Sequence, residues 1–133
     1  DEALLVTPEG RVLEVQTAAL FFVDAAGRLR TPPLSEGILD SITRRAIVGC
    51  LEVGEEPCLI DEVLAGREAF VVGTRFEVLP VGAVDRRTFA APGPVTREAR
   101  RGLWRAIEEQ TGIDRHEHAA YLERIGLAAP VFD

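Results

Sequence analysis

Methionine and lysine are both absent from this chain of 133 residues, and all 15 of its basic side chains are arginine. A lysine amine is the protein group that forms a Schiff base with a carbonyl compound, so no such linkage can form within the chain. Because no methionine precedes Asp1, we expect the chain to be a piece of a longer product.

Cysteine is scarce, and long apolar runs are missing. Cys50 and Cys58 have no second pair and no histidine nearby, whereas His116 and His118 stand alone near the end of the sequence. This spacing matches neither a metal framework nor a disulfide pattern, so we expect no metal site and a cytoplasmic protein. The apolar runs are too short to cross a bilayer, so we expect no membrane span.

Positive charge is deficient in the first half of the chain. The formal net charge is −7, and residues 1–66 hold twelve acidic side chains against five arginines, whereas residues 67–133 hold ten of each. An acidic domain is repelled by phosphate backbones and anionic lipid, so nucleic acid and membranes are not expected partners.

Apolar runs bounded by turn residues predict an α+β fold with an antiparallel-rich sheet. The opening strands are expected to form a meander. The predicted strands are 3–7, 11–15, 18–23, 28–31, 58–60, 69–72 and 76–81.

The helical pattern indicates four helices packed on this sheet. Ser41 is the expected N-cap of the first, with Ile42, Ala46 and Ile47 facing inward and Gly54 marking its end. Pro94 opens the longest helix, whose buried stripe is expected at Val95, Ala99, Leu103 and Ile107. The predicted helices are 43–51, 61–65, 94–111 and 115–125, with Tyr121, Leu122 and Ile125 available for packing in the last.

Three segments are candidates for chemistry. Glu14 is a carboxylate inside an apolar strand, which either faces solvent or has a partner. Gly37 to Arg44 is a glycine loop leading into a helix start, which is either ordinary capping or an anion site made of backbone amides. Gly73-Thr74 interrupts a strand pair, which indicates either a simple bend or a close approach to a ligand.

Taken in order, these segments resemble the fold-type IV enzymes that use pyridoxal 5′-phosphate (PLP). This class IV aminotransferase family includes branched-chain and D-amino-acid aminotransferases and aminodeoxychorismate lyase. The most specific stretch is Thr-Pro-Pro-Leu-Ser-Glu-Gly-Ile-Leu at 31–39, and further matches are Gly10-Arg11-Val12-Leu13-Glu14, Ile42-Thr43-Arg44-Arg45, Gly73-Thr74, Glu77-Val78 and Gly93-Pro94-Val95.

The resemblance implies a role for each matching residue. Glu14 would bond the pyridine nitrogen of PLP, and the amides of Ile42 and Thr43 with the Thr43 hydroxyl would hold its phosphate. Thr74 would approach the phosphate or the substrate carboxylate, with Arg75 beside it at the substrate. Asp40 places a negative charge near that phosphate, which Arg44 or Arg45 is expected to offset.

The resemblance also implies a fold and a domain plan. Residues 1–133 would form the C-terminal, PLP-cradling domain of a two-domain enzyme, the large domain of the D-amino-acid aminotransferase-like α/β pseudo-barrel. The Schiff-base lysine would lie upstream of residue 1, in the segment of the enzyme that precedes this chain together with the N-terminal domain. This chain alone would therefore hold no catalytic residue and would be inactive.

The expected activity of the intact protein is transfer of an amino group between an amino acid and a 2-oxo acid, in a homodimer. The pattern Gly73-Thr74-x-x-Glu77-Val78 favours the branched-chain type over the D-amino-acid type. The alternatives are a lyase reaction of the aminodeoxychorismate lyase kind on the same scaffold, and a divergent, non-catalytic member.

Overall fold

The computed structural model describes residues 1–133 as a mixed α+β fold of nine strands and four α-helices. The strands are β1 (Leu4–Val6), β2 (Val12–Val15), β3 (Ala19–Val23), β4 (Leu29–Thr31), β5 (Gly54–Glu55), β6 (Glu68–Gly73), β7 (Glu77–Pro80), β8 (Ala83–Val84) and β9 (Arg87–Thr88). The helices are α1 (Ile42–Cys50), α2 (Ile60–Leu64), α3 (Pro94–Thr111) and α4 (Arg115–Arg124).

A five-stranded sheet in the order β5-β4-β3-β6-β7 is the centre of the molecule. Every neighbouring pair is antiparallel except β4 with β5, which confirms the predicted antiparallel-rich sheet. The opening strands do not form one continuous meander, because β1 and β2 make a separate two-stranded sheet. Another two-stranded sheet, β8 with β9, lies in the connector before α3.

Both faces of the central sheet are buried, which explains why β3 and β6 are apolar at nearly every position. Side chains of successive residues point to opposite faces, so Leu20 and Phe22 pack in one cluster and Phe21 in the other. Phe21 stacks on Phe70 of β6, with ring centroids 5.3 Å apart. The first face is covered by β2 and α2, and the second by α1 and α3.

The start of α3 is fixed by a side chain from the sheet. Its N-cap, Gly93, offers no side chain, and the carboxylate of buried Glu68 instead accepts from the Val95 amide at 3.2 Å and the Thr96 hydroxyl at 2.6 Å. A Cβ at position 93 would clash with the Glu68 carboxylate, so glycine is required there. Gly112, at φ 69°, ends the helix as predicted.

Three local predictions were wrong in the segment that contains α1 and α2. Ile42 is 75% exposed and points away from the core, although Ile47 is fully buried as expected. Gly54 does not follow the helix directly but opens β5, which pairs with β4. Residues 58–60 are not a strand. Leu59 makes only an isolated bridge with Arg11 and is the N-cap of α2, which starts one residue before the predicted position 61.

The last helix forms as predicted but buries none of its residues. Tyr121 and Ile125, which were predicted to be available for packing, are each about half exposed. His118 instead lies 5.7 Å from the ring of Trp104, and His116 lies 5.6 Å from that of Phe132. No helix of the chain has the length and apolar content needed to span a bilayer.

Candidate functional site

The register of the sheet brings the three candidate segments to one end of it. Because β3 is antiparallel to both β4 and β6, the start of β3 lies beside the ends of its two neighbours. Ala19 pairs with Val72, and the Thr31 hydroxyl donates to the Leu20 carbonyl at 2.7 Å. The turn before β3, the loop after β4 and the turn after β6 therefore lie at the same end of the sheet.

Glu14 lies near the end of β2 and reaches across to the loop that precedes α1. Its Oε2 accepts a hydrogen bond of 3.2 Å from the Leu39 amide, while Oε1 makes none within the chain. The side chain is half-buried. The carboxylate thus contacts the segment that leads into α1, three residues before Ile42. The ligand role itself stays a prediction.

The loop between β4 and α1 is tied down by two arginines besides Glu14. Arg11 donates from Nε to Glu36 at 3.0 Å, which fixes the short 3-10 turn in the loop and raises the pKa of that guanidinium. Arg44, only 2% exposed, donates from Nη2 to the Pro32 carbonyl at 3.0 Å and to Glu55 at 2.6 Å. These contacts fix the direction in which α1 starts.

The first turn of α1 presents unpaired amides to this loop. The Ser41 hydroxyl caps the Arg44 amide at 3.1 Å, as predicted for the N-cap. The amides of Ile42 and Thr43 have no acceptor within the chain, because an α-helix leaves its first N–H groups without intrahelical partners. No acidic residue lies in this turn, so the positive end of the helix dipole is not neutralised there.

Asp40, the acidic residue expected to repel an anion here, is paired. Arg45 donates to its Oδ2 at 2.7 Å, and this hydrogen bond raises the pKa of the arginine. Of the two arginines expected to offset Asp40, only Arg45 does so, since Arg44 points into the interior. The Arg45 side chain is 68% exposed and the Asp40 side chain 44%, so water screens this pair and it contributes little to stability.

The third segment is the turn Thr74–Phe76, which connects β6 to β7. Thr74 and Arg75 are exposed, and neither side chain makes a hydrogen bond or ion pair within the chain. The Cβ position of Gly73 lies 3.4 Å from the Thr17 carbonyl and 3.4 Å from the Phe76 ring. The turn therefore rests on the turn between β2 and β3, directly after the strand that carries Glu14.

Sequence reasoning missed two features of this site. Arg44 was predicted only to offset the charge of Asp40, and no local sequence pattern indicates that it is buried with partners at Pro32 and in β5. Glu77 was assigned no chemistry, yet its carboxylate accepts a hydrogen bond of 2.8 Å from the indole nitrogen of Trp104. The left-handed backbone of Glu77, with φ at 64°, was also not predicted, because glycine usually marks such a position.

The amino-transferase class IV family model matches residues 1–84, which hold all the candidate site residues. The chain belongs to this family. It is 33% identical over 117 residues to the D-alanine aminotransferase of Bacillus licheniformis, covering 83% of this chain and 41% of that protein. It is 32% identical over 118 residues to the branched-chain-amino-acid aminotransferase of Pseudomonas aeruginosa, covering 84% and 38% respectively.

A crystal structure of the branched-chain amino acid aminotransferase from Thermobaculum terrenum, in its PLP-form, has the same fold. It superimposes with a TM-score of 0.73 and 37% identity, covering 86% of this chain and 38% of that one. The predicted fold class and family are thereby confirmed. The chain spans about two fifths of the length of these class IV relatives.

Proposed function

We propose that the protein containing this chain is a PLP-dependent aminotransferase that moves an amino group between an amino acid and a 2-oxo acid, with branched-chain amino acids as favoured substrates. One observation carries the proposal. The Glu14 carboxylate, the unpaired amides at the start of α1 and the exposed turn Thr74–Phe76 lie at one end of the sheet. The branched-chain preference rests on the names of the relatives and the solved structures.

The residues at this end of the sheet fit PLP, which is an aromatic ring carrying a nitrogen and a phosphate. Glu14 has one carboxylate oxygen free for a ring nitrogen, since only Oε2 is engaged. Ile42 and Thr43 offer two amides at a helix N-terminus, the usual place for a phosphate. The Thr43 hydroxyl, which makes no hydrogen bond within the chain, is a third donor.

Each residue has a separate task in this proposal. Bound PLP supplies an electron sink for the reacting Cα of the substrate. Glu14 holds a proton at the pyridine nitrogen, because a carboxylate beside that atom favours its protonated form. Ile42 and Thr43 hold the phosphate at the positive end of α1. Arg45 offsets the negative charge of Asp40, which lies just before the helix.

Thr74 and Arg75 are assigned to the substrate carboxylate, with Thr74 also close to the cofactor. Both side chains are exposed at the turn and have no protein partner that they would have to leave. A guanidinium binds a carboxylate through two parallel hydrogen bonds, which makes Arg75 the stronger donor of the two.

The chain contains no lysine, so the proposal requires the lysine that forms the Schiff base to lie outside residues 1–133. We assign this chain to the C-terminal, cofactor-binding domain of a two-domain enzyme. The remaining partners are an N-terminal half of the same protein and a second copy in a homodimer, and the expected location is the cytoplasm.

The test compares Glu14→Gln with Glu9→Gln in the full-length protein. Glutamine keeps the shape of the glutamate side chain but cannot hold the proton, so we expect kcat for leucine and 2-oxoglutarate to fall by roughly 10² to 10⁴-fold. Glu9 lies in the β1–β2 turn with its side chain 63% exposed, and its substitution should leave kcat unchanged. Cofactor content is checked by absorbance in both variants.

Three results would contradict the proposal. An unchanged kcat in Glu14→Gln would remove Glu14 from the site. Pyruvate release from aminodeoxychorismate without a 2-oxo acid would identify a lyase instead. A full-length protein that binds no PLP would be a non-catalytic member of the family.

A further inference from the structure

Glu77 has a backbone conformation that an L-residue with a side chain rarely adopts. It is the first residue of β7 and pairs with Gly73 across the turn Thr74–Phe76, with φ at 64°. A left-handed residue after a three-residue turn is a known way of closing a hairpin, and glycine usually occupies that position. Glutamate at this position needs an interaction that compensates for the strain.

Trp104 of α3 provides that interaction. Its indole nitrogen donates to Glu77 Oε2 at 2.8 Å, and the residue is only 3% exposed. The indole is itself held by Phe132, whose ring meets it edge-on with centroids 5.3 Å apart. A buried indole N–H requires an acceptor, and a carboxylate gives a stronger hydrogen bond than a neutral group does.

The turn is therefore held at both of its ends. On one side, Phe76 packs against the first core cluster and against Gly73, beside the Thr17 carbonyl. On the other side, Glu77 is bonded to α3 through Trp104. Between these two points lie Thr74 and Arg75, the exposed residues that have no partner within the chain.

We propose that Glu77 is a positioning residue for substrate binding: its hydrogen bond to Trp104 fixes the turn in the conformation that presents Thr74 and Arg75 to the substrate carboxylate. This inference rests on the proposed function. It assigns to Glu77 and Trp104 no contact with substrate or cofactor. It also separates the turn from the phosphate site at α1, which is fixed independently through Arg44 and Arg11.

The test uses the full-length enzyme and three variants. Trp104→Phe keeps a ring in the aromatic cluster but removes the donor. Glu77→Gln keeps an acceptor oxygen, and Glu77→Gly removes the acceptor while it relieves the strained φ. Glu98→Gln, on an exposed position of α3, is the matched control.

We expect KM for the amino acid to rise about tenfold in Trp104→Phe and in Glu77→Gly, with kcat and PLP affinity within about twofold of wild type. Glu77→Gln and Glu98→Gln should retain the wild-type KM. The Glu77→Gly result is the sharper one, because a more relaxed and better folded turn is expected to bind substrate less well.

The inference is overturned if Glu77→Gly keeps the wild-type KM. This holds whether or not the separate variant Trp104→Phe folds. It is also overturned if KM, PLP affinity and Tm all change together, since that pattern indicates a purely structural contact. A wild-type enzyme without aminotransferase activity would instead refute the proposed function, so the two failures are distinguishable.

Discussion

Cys58 is fully buried in the core cluster that β2 and α2 share with the central sheet. Its thiol donates to the Glu56 carbonyl, with sulfur and oxygen 3.0 Å apart. Burial raises the pKa of this thiol to about 11, and the nearby Arg30 only partly opposes that rise. Cys58 is therefore a core residue with no reactivity near neutral pH.

A loss of stability at alkaline pH follows from that pKa. Between about pH 9 and 11 the thiol ionises in the unfolded chain but stays protonated in the folded one, so the free energy of unfolding should fall as pH rises through this window. Urea denaturation from pH 8 to 11 measures it. Cys58→Ala should flatten the decline, whereas Cys50→Ala should largely keep it. Parallel curves for wild type and Cys58→Ala would contradict the assignment.

The sequence could identify residues whose role is set by their immediate neighbours. Ser41 caps α1 as predicted, because a hydroxyl before a helix start accepts from the first turn wherever it occurs. Ile42 was predicted on the wrong side, because the inward positions at the start of α1 belong to Thr43 and Arg44. Thr43 is buried beside the candidate site, and Arg44 is buried with hydrogen-bond partners. A rule that places only apolar residues inside does not predict either position.

At the scale of elements, Gly102 is the position where α3 closely approaches the end of α1. A Cβ at that position would lie 2.8 Å from the sulfur of Cys50. Gly49, on the exposed side of α1, has no atom within 4 Å of its Cβ position. The two helical glycines therefore differ in what surrounds them but share the same backbone conformation.

This contrast predicts opposite effects for the same substitution. Gly49→Ala should raise the free energy of unfolding by about 1 kcal/mol through helix propensity alone. Gly102→Ala gains the same propensity but overpacks the helix contact, and we expect a net loss of about 1 to 2 kcal/mol. Chemical denaturation of the two variants measures both values.

A double variant controls for the cause of the loss. Cys50→Ala combined with Gly102→Ala should recover most of the lost stability, because the sulfur that the new methyl group meets is gone. If Gly102→Ala is as stable as Gly49→Ala, the close contact between the helices is not limiting.

Elements defined by a local period were predictable, and those defined by long-range pairing were not. The bounds of β3, β6 and α3 follow from apolar runs or a helical stripe within one segment. β5 was missed because its two residues become a strand only by pairing with β4, which lies more than twenty positions earlier. The helix α4 was predicted correctly, but none of its residues is buried.

At the scale of the whole molecule, some of the acidic side chains in the first half pair with a buried arginine. Arg30 is 5% exposed and lies 2.9 Å from Glu56, 2.7 Å from Glu62 and 3.8 Å from Asp24. A buried guanidinium needs such partners, because an unpaired charge in the interior is costly. Three of the twelve carboxylates of residues 1–66 thus surround one internal cation.

The position of the candidate site at the start of α1 predicts where PLP binding slows hydrogen exchange of backbone amides. In the full-length protein, the amides of Ile42 and Thr43 should become protected on PLP addition. With free PLP at about 100 times Kd, their exchange slows by up to roughly 10²-fold, because only the ligand-free fraction exchanges. Residues of α4, none of them buried, should exchange rapidly with and without PLP.

Hydrogen exchange followed by mass spectrometry makes this measurement, with pyridoxal lacking the phosphate as the control. The control should leave Ile42 and Thr43 unprotected. Protection centred on α4 or on the β8–β9 hairpin, with none at the start of α1, would place the cofactor elsewhere.

The site could be anticipated from sequence only as separate segments. Their convergence depends on the register of β3 between β4 and β6, which no single segment encodes. The resemblance to a family predicted Glu14 and Thr43 as candidate site residues. The hydrogen bonds from the Leu39 amide to Glu14 and from Trp104 to Glu77 were seen only in the structure.

The candidate site residues lie near the end of β2, at the start of α1 and in the turn after β6, whereas the central strands are lined on both faces by core side chains. Binding and folding are thus assigned to different parts of the chain. Substitutions at positions 74 and 75 should therefore alter which substrates bind and how tightly, while the folded scaffold beneath them is inherited unchanged.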